Sequence, residues 1–158
     1  MILPESELSP LLRTDFTDEQ AWQSLLEEID TGWLTVLADP GHQGLTVPEL
    51  VALVPSDRLY PLLVVADEQT FASAERSVLL IDVREEPGRA FRAVLDAANS
   101  AIGNLAIDNN SFDDYLDGLD DSGVYRLSAR YHQALAELMS FNQPAKSRTF
   151  PARDDSRD

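Results

Sequence analysis

Short apolar runs alternate along the chain with stretches of helical period, and this alternation predicts its elements. Six runs read as strands: Leu11 to Phe16, Trp33 to Ala38, Leu62 to Asp67, Val78 to Val83, Ala90 to Leu95 and the short Val124 to Leu127. "LLVVAD" and "VLLIDV" are apolar nearly throughout, the pattern of central strands covered on both faces. Helix starts are marked by Ser or Thr three residues before an acid or amide: Thr17 with Gln20, Thr46 with Glu49, and Ser111 with Asp114. The first opens a helix through Ile29, with Ala21, Trp22, Leu25, Leu26 and Ile29 on one face. The second carries Pro48 in its first turn and ends before Pro55. Two further helices are expected over Asp96 to Ile107 and Ser128 to Phe141. "DPGHQG" at 39–44 and "EEPGR" at 85–89 are turns by their Pro and Gly. The sum is a single α/β domain over residues 1–142, a mixed sheet of five or six strands flanked by helices. Residues 143–158, with two prolines and no period, are expected to form a disordered tail.

Charge changes what such a domain is expected to meet. The 158 residues hold 28 acids and 12 bases, a net charge of −16, and the first 142 hold 25 acids against 8 bases, or −17. Most faces therefore repel a phosphate backbone or an anionic membrane, which argues against nucleic acid and lipid as partners and favours a basic protein. High acidity also simply maintains solubility. Cysteine is absent, which removes disulfides, thiolate nucleophiles and sulfur-ligated metal. The start, "MILPESELSPLLRTDF", does not read as a signal peptide, and no segment nears the roughly 20 apolar residues of a membrane span. A soluble, cytoplasmic protein is expected. Eleven of the twelve bases are arginine, a hint of a GC-rich genome.

The most suggestive stretch is "NLAIDNNSFDDYLDGLDDSGVYR" at 104–126, with six aspartates between Asp108 and Asp121. An EF-hand loop needs oxygen ligands at its odd positions, Gly at the sixth and Glu at the twelfth. Setting Gly118 sixth puts Tyr115 third and Val124 twelfth; setting Gly123 sixth puts Gly118 first. Both registers fail. As a helix, Phe112, Tyr115, Leu116 and Leu119 form one apolar stripe and leave Asp113, Asp114 and Asp117 outward. Local structure accounts for these acids; the alternative is a docking face for a basic partner made by Asp113, Asp114, Asp117, Asp120 and Asp121.

Strand ends offer a second constellation. Asp15, Asp39, Asp67, Asp82 and Asp96 lie at or near the ends of expected strands, where α/β sheets bind ligands. Were Asp15, Asp39 and Asp67 to converge, they would hold a divalent metal for phosphoester chemistry; as turn and cap residues they need no site. A phospho-acceptor receiver domain is excluded because the only lysine, Lys146, is in the tail, and a dehalogenase-type phosphatase because Asp15, Phe16, Thr17 lacks the second aspartate. There is no Gly-rich phosphate loop and no nucleophile elbow. His42, expected on an exposed turn beside Asp39, and His132 are too few for a zinc site or hydrolytic triad. Arg84, Arg89 and Arg92, beside Glu85 and Glu86, read as ion-paired rather than as an anion site.

"LLRTDFTDEQAW" at 11–22, "GLTVPELVALV" at 44–54, "VLLIDVREEPGRAFRAV" at 78–94 and the aspartate-rich stretch resemble short actinobacterial proteins of a family known only as a domain of unknown function. The resemblance implies that residues 11–127 form one unit, and it supplies no activity or functional residue. The sequence thus points to a non-enzymatic acidic interaction module without cofactor, of the immunity or antitoxin kind. A metal-dependent phosphoester enzyme and a DNA mimic, with carboxylates spaced like phosphates, stand as alternatives.

Overall fold

Each of the six apolar runs becomes a strand of one sheet. The strands are β1 (Ser9–Arg13), β2 (Leu34–Leu37), β3 (Leu62–Ala66), β4 (Val78–Asp82), β5 (Ala90–Ala93) and β6 (Val124–Tyr125). They lie in the order β2-β1-β3-β4-β5-β6. β4 alone runs against the others, pairing antiparallel with β3 and β5, while β1 pairs parallel with β2 and β3, and β5 with β6. This computed structural model describes residues 1–127 with 137, 138 and 140; the remainder of the expected last helix and the tail lie outside the described residues.

The helices are α1 (Glu19–Glu28), α2 (Val47–Val51), α3 (Glu68–Ala72), α4 (Leu95–Ala106) and α5 (Phe112–Leu116). Every residue of β1 and β3 is buried, so the apolar runs are explained by cover on both faces. On one face Leu12, Leu63, Val65, Ile81 and Val83 pack with Leu50 of α2, Leu3 and Tyr60. By strand alternation Arg13 points to the other face, where its guanidinium reaches Glu19 of α1 at 2.8 Å and lies over Phe16 and Trp22. α4 runs beside the end of α1: Asn99 accepts from the backbone N–H of Asp30 at 2.8 Å, and Gly103 faces the Trp33 indole, whose Nε1 would lie 3.4 Å from a Cβ placed there. The fold is thus a single α/β domain with a mixed six-stranded sheet.

The first strand starts earlier than expected, at Ser9, and includes Pro10 although β1 is central. The register explains it: Pro10 pairs only with Thr35 of β2, and pairing with β3 begins at Leu11, so the missing N–H breaks no second ladder. β1 also stops at Arg13 rather than Phe16, because the Asp15 carboxylate takes the Thr17 N–H and hydroxyl at 2.9 and 2.7 Å and turns the chain. Thr17 is consequently not the cap of α1. Asp18 is, accepting from the Ala21 N–H at 3.0 Å. The capping boxes at Thr46 and Ser111 form as expected. Ser111→Ala removes the acceptor for the Asp114 N–H and is expected to cost about 1 kcal/mol in urea unfolding.

Candidate functional site

Where the strand order reverses, at β1, the ladder places β2 on one side and β3 on the other. α/β sheets bind ligands outside the carboxyl ends of strands at such a switch. An open cleft of about 720 Å³ lies there, its walls including Thr14, Asp15, Asp18, Gly44, Asp67 and Glu68. The Thr14 N–H donates to Ala66 O at 3.0 Å, and its carbonyl accepts from Gly44 N–H at 2.9 Å, binding the two strand ends and the 39–44 turn into one floor. Gly44 holds a φ of +73°, a conformation that favours glycine. The cleft offers the carboxylates of Asp15, Asp18, Asp67 and Glu68, the hydroxyls of Thr14 and Thr17 and the amides of Gln43 and Gln69, with no basic side chain among its walls, so it is suited to accept positive charge.

Of the strand-end acids, Asp15 and Asp67 share this cleft, whereas Asp39 is not among its walls. Each spends an oxygen on backbone geometry. Asp15 holds Thr17, Asp39 accepts from the Gly41 N–H at 2.9 Å, and Asp67 caps α3 by accepting from the Thr70 N–H and hydroxyl at 3.1 and 3.0 Å. The other Asp67 oxygen is paired with Arg92. Burial works to raise the Asp67 pKa, but Arg92 and Thr70 outweigh it and hold the carboxyl below its ordinary value. Among the described residues no three His, Asp or Glu side chains gather as a metal cluster.

His42 departs from expectation. It is 3% exposed, because the 39–44 turn folds down onto β1, and its Nδ1 is buried without a hydrogen-bond partner. Asp39 engages the Gly41 N–H rather than the imidazole, so His42 is neither exposed nor paired with Asp39.

Asp82 ends β4 and is almost fully buried. Its carboxylate accepts from the N–H groups of Arg84, Glu85 and Glu86 at 2.9, 3.1 and 3.0 Å, and from Arg89 at 2.9 Å, shaping the 83–89 turn. Burial opposes ionisation, yet the three backbone donors and Arg89 prevail and lower its pKa. Arg89 also reaches Asp113 at 2.5 Å, Glu86 at 3.3 Å and Glu85 at 3.6 Å.

The aspartate-rich stretch divides accordingly. Asp113 is tied to Arg89. Asp114 accepts from the Ser111 N–H at 2.9 Å. Asp120 accepts from the Ser122 hydroxyl at 2.6 Å, from the Val124 and Ser122 backbone N–H groups at 3.0 and 2.8 Å and from Arg126 at 2.7 Å, and these bonds, the Ser122 hydroxyl foremost, drive its pKa strongly down. Asp117 and Asp121 are exposed, and their carboxylates form no hydrogen bond or ion pair with a described residue. Phe112 and Tyr115 are buried under this face, packed with Tyr125 around Phe91; α5 ends at Leu116, so Leu119 lies beyond it, outside the expected helical stripe.

Positive charge is consumed throughout. Residues 1–127 hold seven arginines against 24 acids. Arg13, Arg76, Arg84, Arg89, Arg92 and Arg126 each face a carboxylate. Arg58 instead donates to the carbonyls of Val83 and Ser56 at 2.6 and 3.3 Å. Sequence spacing anticipated the pairing of Arg89 with Glu85 and Glu86, though not the further, distant partners Asp108 of Arg84, Asp113 of Arg89 and Asp67 of Arg92.

A family profile described as a domain of unknown function, DUF6924, matches residues 8–128. The chain belongs to the DUF6924 family. No curated protein matches it. The matched span covers all six strands of the DUF6924 sheet, the switch-point cleft and the aspartate-rich face. No helix among the described residues is long and apolar enough to cross a membrane.

Proposed function

We propose that this protein is a non-enzymatic interaction module whose acidic surface receives a basic protein, in the manner of an immunity protein or antitoxin. One observation carries the reading: among the described residues, six of seven arginines are neutralised by carboxylates and the seventh is held by carbonyls, while acids such as Asp57, Glu68, Asp117 and Asp121 carry no cation. The described residues therefore carry a large surplus of negative charge, which steers a basic partner and repels nucleic acid. Asp117 and Asp121 are free to pair with that partner, and Asp113, Asp114 and Asp120, locked by their own bonds, present a preorganised field beside them. An actinobacterial source and a cytoplasmic setting belong to the same reading.

The test is capture from the native cells followed by reconstitution from purified components. The reading expects a partner of high isoelectric point that binds with one-to-one stoichiometry, and weakens roughly tenfold when Asp117 and Asp121 are both replaced by Asn. A reconstituted partner that is itself acidic, or one indifferent to the double substitution, overturns it.

A further inference from the structure

At the opposite end of the sheet, before β1 and β3 begin, a second pocket of about 540 Å³ is walled by Glu5, Glu7, Asp57, Arg58, Leu59 and Tyr60 among others. That volume lies in the range of small-molecule sites. Arg58 is fixed there by its bonds to two carbonyls from different segments, and its Nη2 has no partner among the described residues. Three carboxylates line the same pocket, yet none stands within ion-pairing distance of it. Everywhere else among the described residues an arginine has found an acid. Tyr60 packs its ring in the core and is 3% exposed, but its hydroxyl is buried without a hydrogen bond. Such a hydroxyl carries an uncompensated desolvation cost, and burial raises its pKa, which keeps it a neutral donor. Leu59, 72% exposed, adds an apolar wall that nothing in the unit covers.

We propose that this pocket binds a small zwitterion, an apolar α-amino acid, with its carboxylate on the free edge of Arg58 and the Tyr60 hydroxyl, its ammonium among Glu5, Glu7 and Asp57, and its side chain against Leu59. A simple anion is disfavoured by the surrounding charge, and a simple cation leaves Arg58 and Tyr60 unanswered. A molecule bearing both charged groups on one carbon satisfies both sets. The site lies apart from the aspartate-rich face and does not depend on a protein partner.

The experiment is a nuclear magnetic resonance titration of the full chain with L-leucine, N-acetylleucine and leucinamide. Leucine is expected to shift the amides of residues 5–7 and 55–60 saturably, and the two analogues, each lacking one charge, to bind at least roughly tenfold more weakly. Arg58→Gln and Tyr60→Phe are each expected to weaken leucine by about tenfold. Tyr60→Phe leaves the ring in place and should fold as the wild type does, so it decides the matter if Arg58→Gln does not. Absence of saturable shifts with leucine, equal binding of either analogue, or undiminished binding by Tyr60→Phe overturns the proposal.

Discussion

Phe91→Ala is expected to destabilise the protein by about 4 kcal/mol, the middle of the range for deleting a buried aromatic ring. Phe91 is 3% exposed on β5, with ring centroids of Phe112, Tyr115 and Tyr125 at 5.0, 5.6 and 6.2 Å. Aromatic pairs add about 0.5 to 1.5 kcal/mol each beyond their burial, and three of them end on this ring. The void cannot collapse readily, because Tyr115 and Tyr125 already meet edge to face at 4.9 Å. A domain of this size has roughly 5 to 15 kcal/mol in all, so the loss is a large share. It should fall unevenly. Hydrogen exchange is expected to accelerate most over residues 112–125, since Phe91 is what the short α5 and β6 rest upon, and least over β1 and β3. Because that segment carries Asp117 and Asp121, partner binding should weaken with it.

Asp82→Ala is expected to cost roughly 3 kcal/mol, the lower end for breaking a buried ion pair. The lower end applies because Arg89 keeps Asp113, Glu85 and Glu86 after the substitution. The loss comes chiefly from three backbone N–H groups deprived of their acceptor in the 83–89 turn. The pH dependence follows from the lowered pKa. A carboxylate depressed on folding contributes stability that is present above its unfolded value of about 3.9, and that is lost as the pH falls through the folded value. Asp67 acts in the same sense. Urea unfolding should therefore show the difference between wild type and Asp82→Ala at full size from neutral pH down to about 5, and shrinking below about 4. A difference constant across that range contradicts the assignment.

The strands were legible because burial on both faces of β3 and β4 leaves an unbroken apolar run that no turn chemistry imitates. Helix α3 was not. Its cap reverses the expected order, with Asp67 as the capping residue and Thr70 returning the bond, so a search for Ser or Thr followed by an acid passes over it. The burial of His42 was also hidden, since it follows from Gly44 bonding to Thr14 across 30 residues, and local composition reads only an open turn. The five aspartates of 113–121 could be found in the sequence but not sorted. Which of them are free depends in part on Arg89 and Arg126, and those arginines arrive from the residue before β5 and from the residue after β6. Neither Arg58 nor Tyr60 had a sequence signal, because what distinguishes them is the absence of a partner.

Stopped-flow association of the purified protein with its reconstituted partner, followed against ionic strength, tests the central claim most directly. The account predicts that the association rate falls by roughly tenfold or more from low to physiological salt while dissociation changes little, and that Asp117→Asn with Asp121→Asn flattens the dependence. An association rate that is independent of salt, or a slope unchanged by the double substitution, would contradict it.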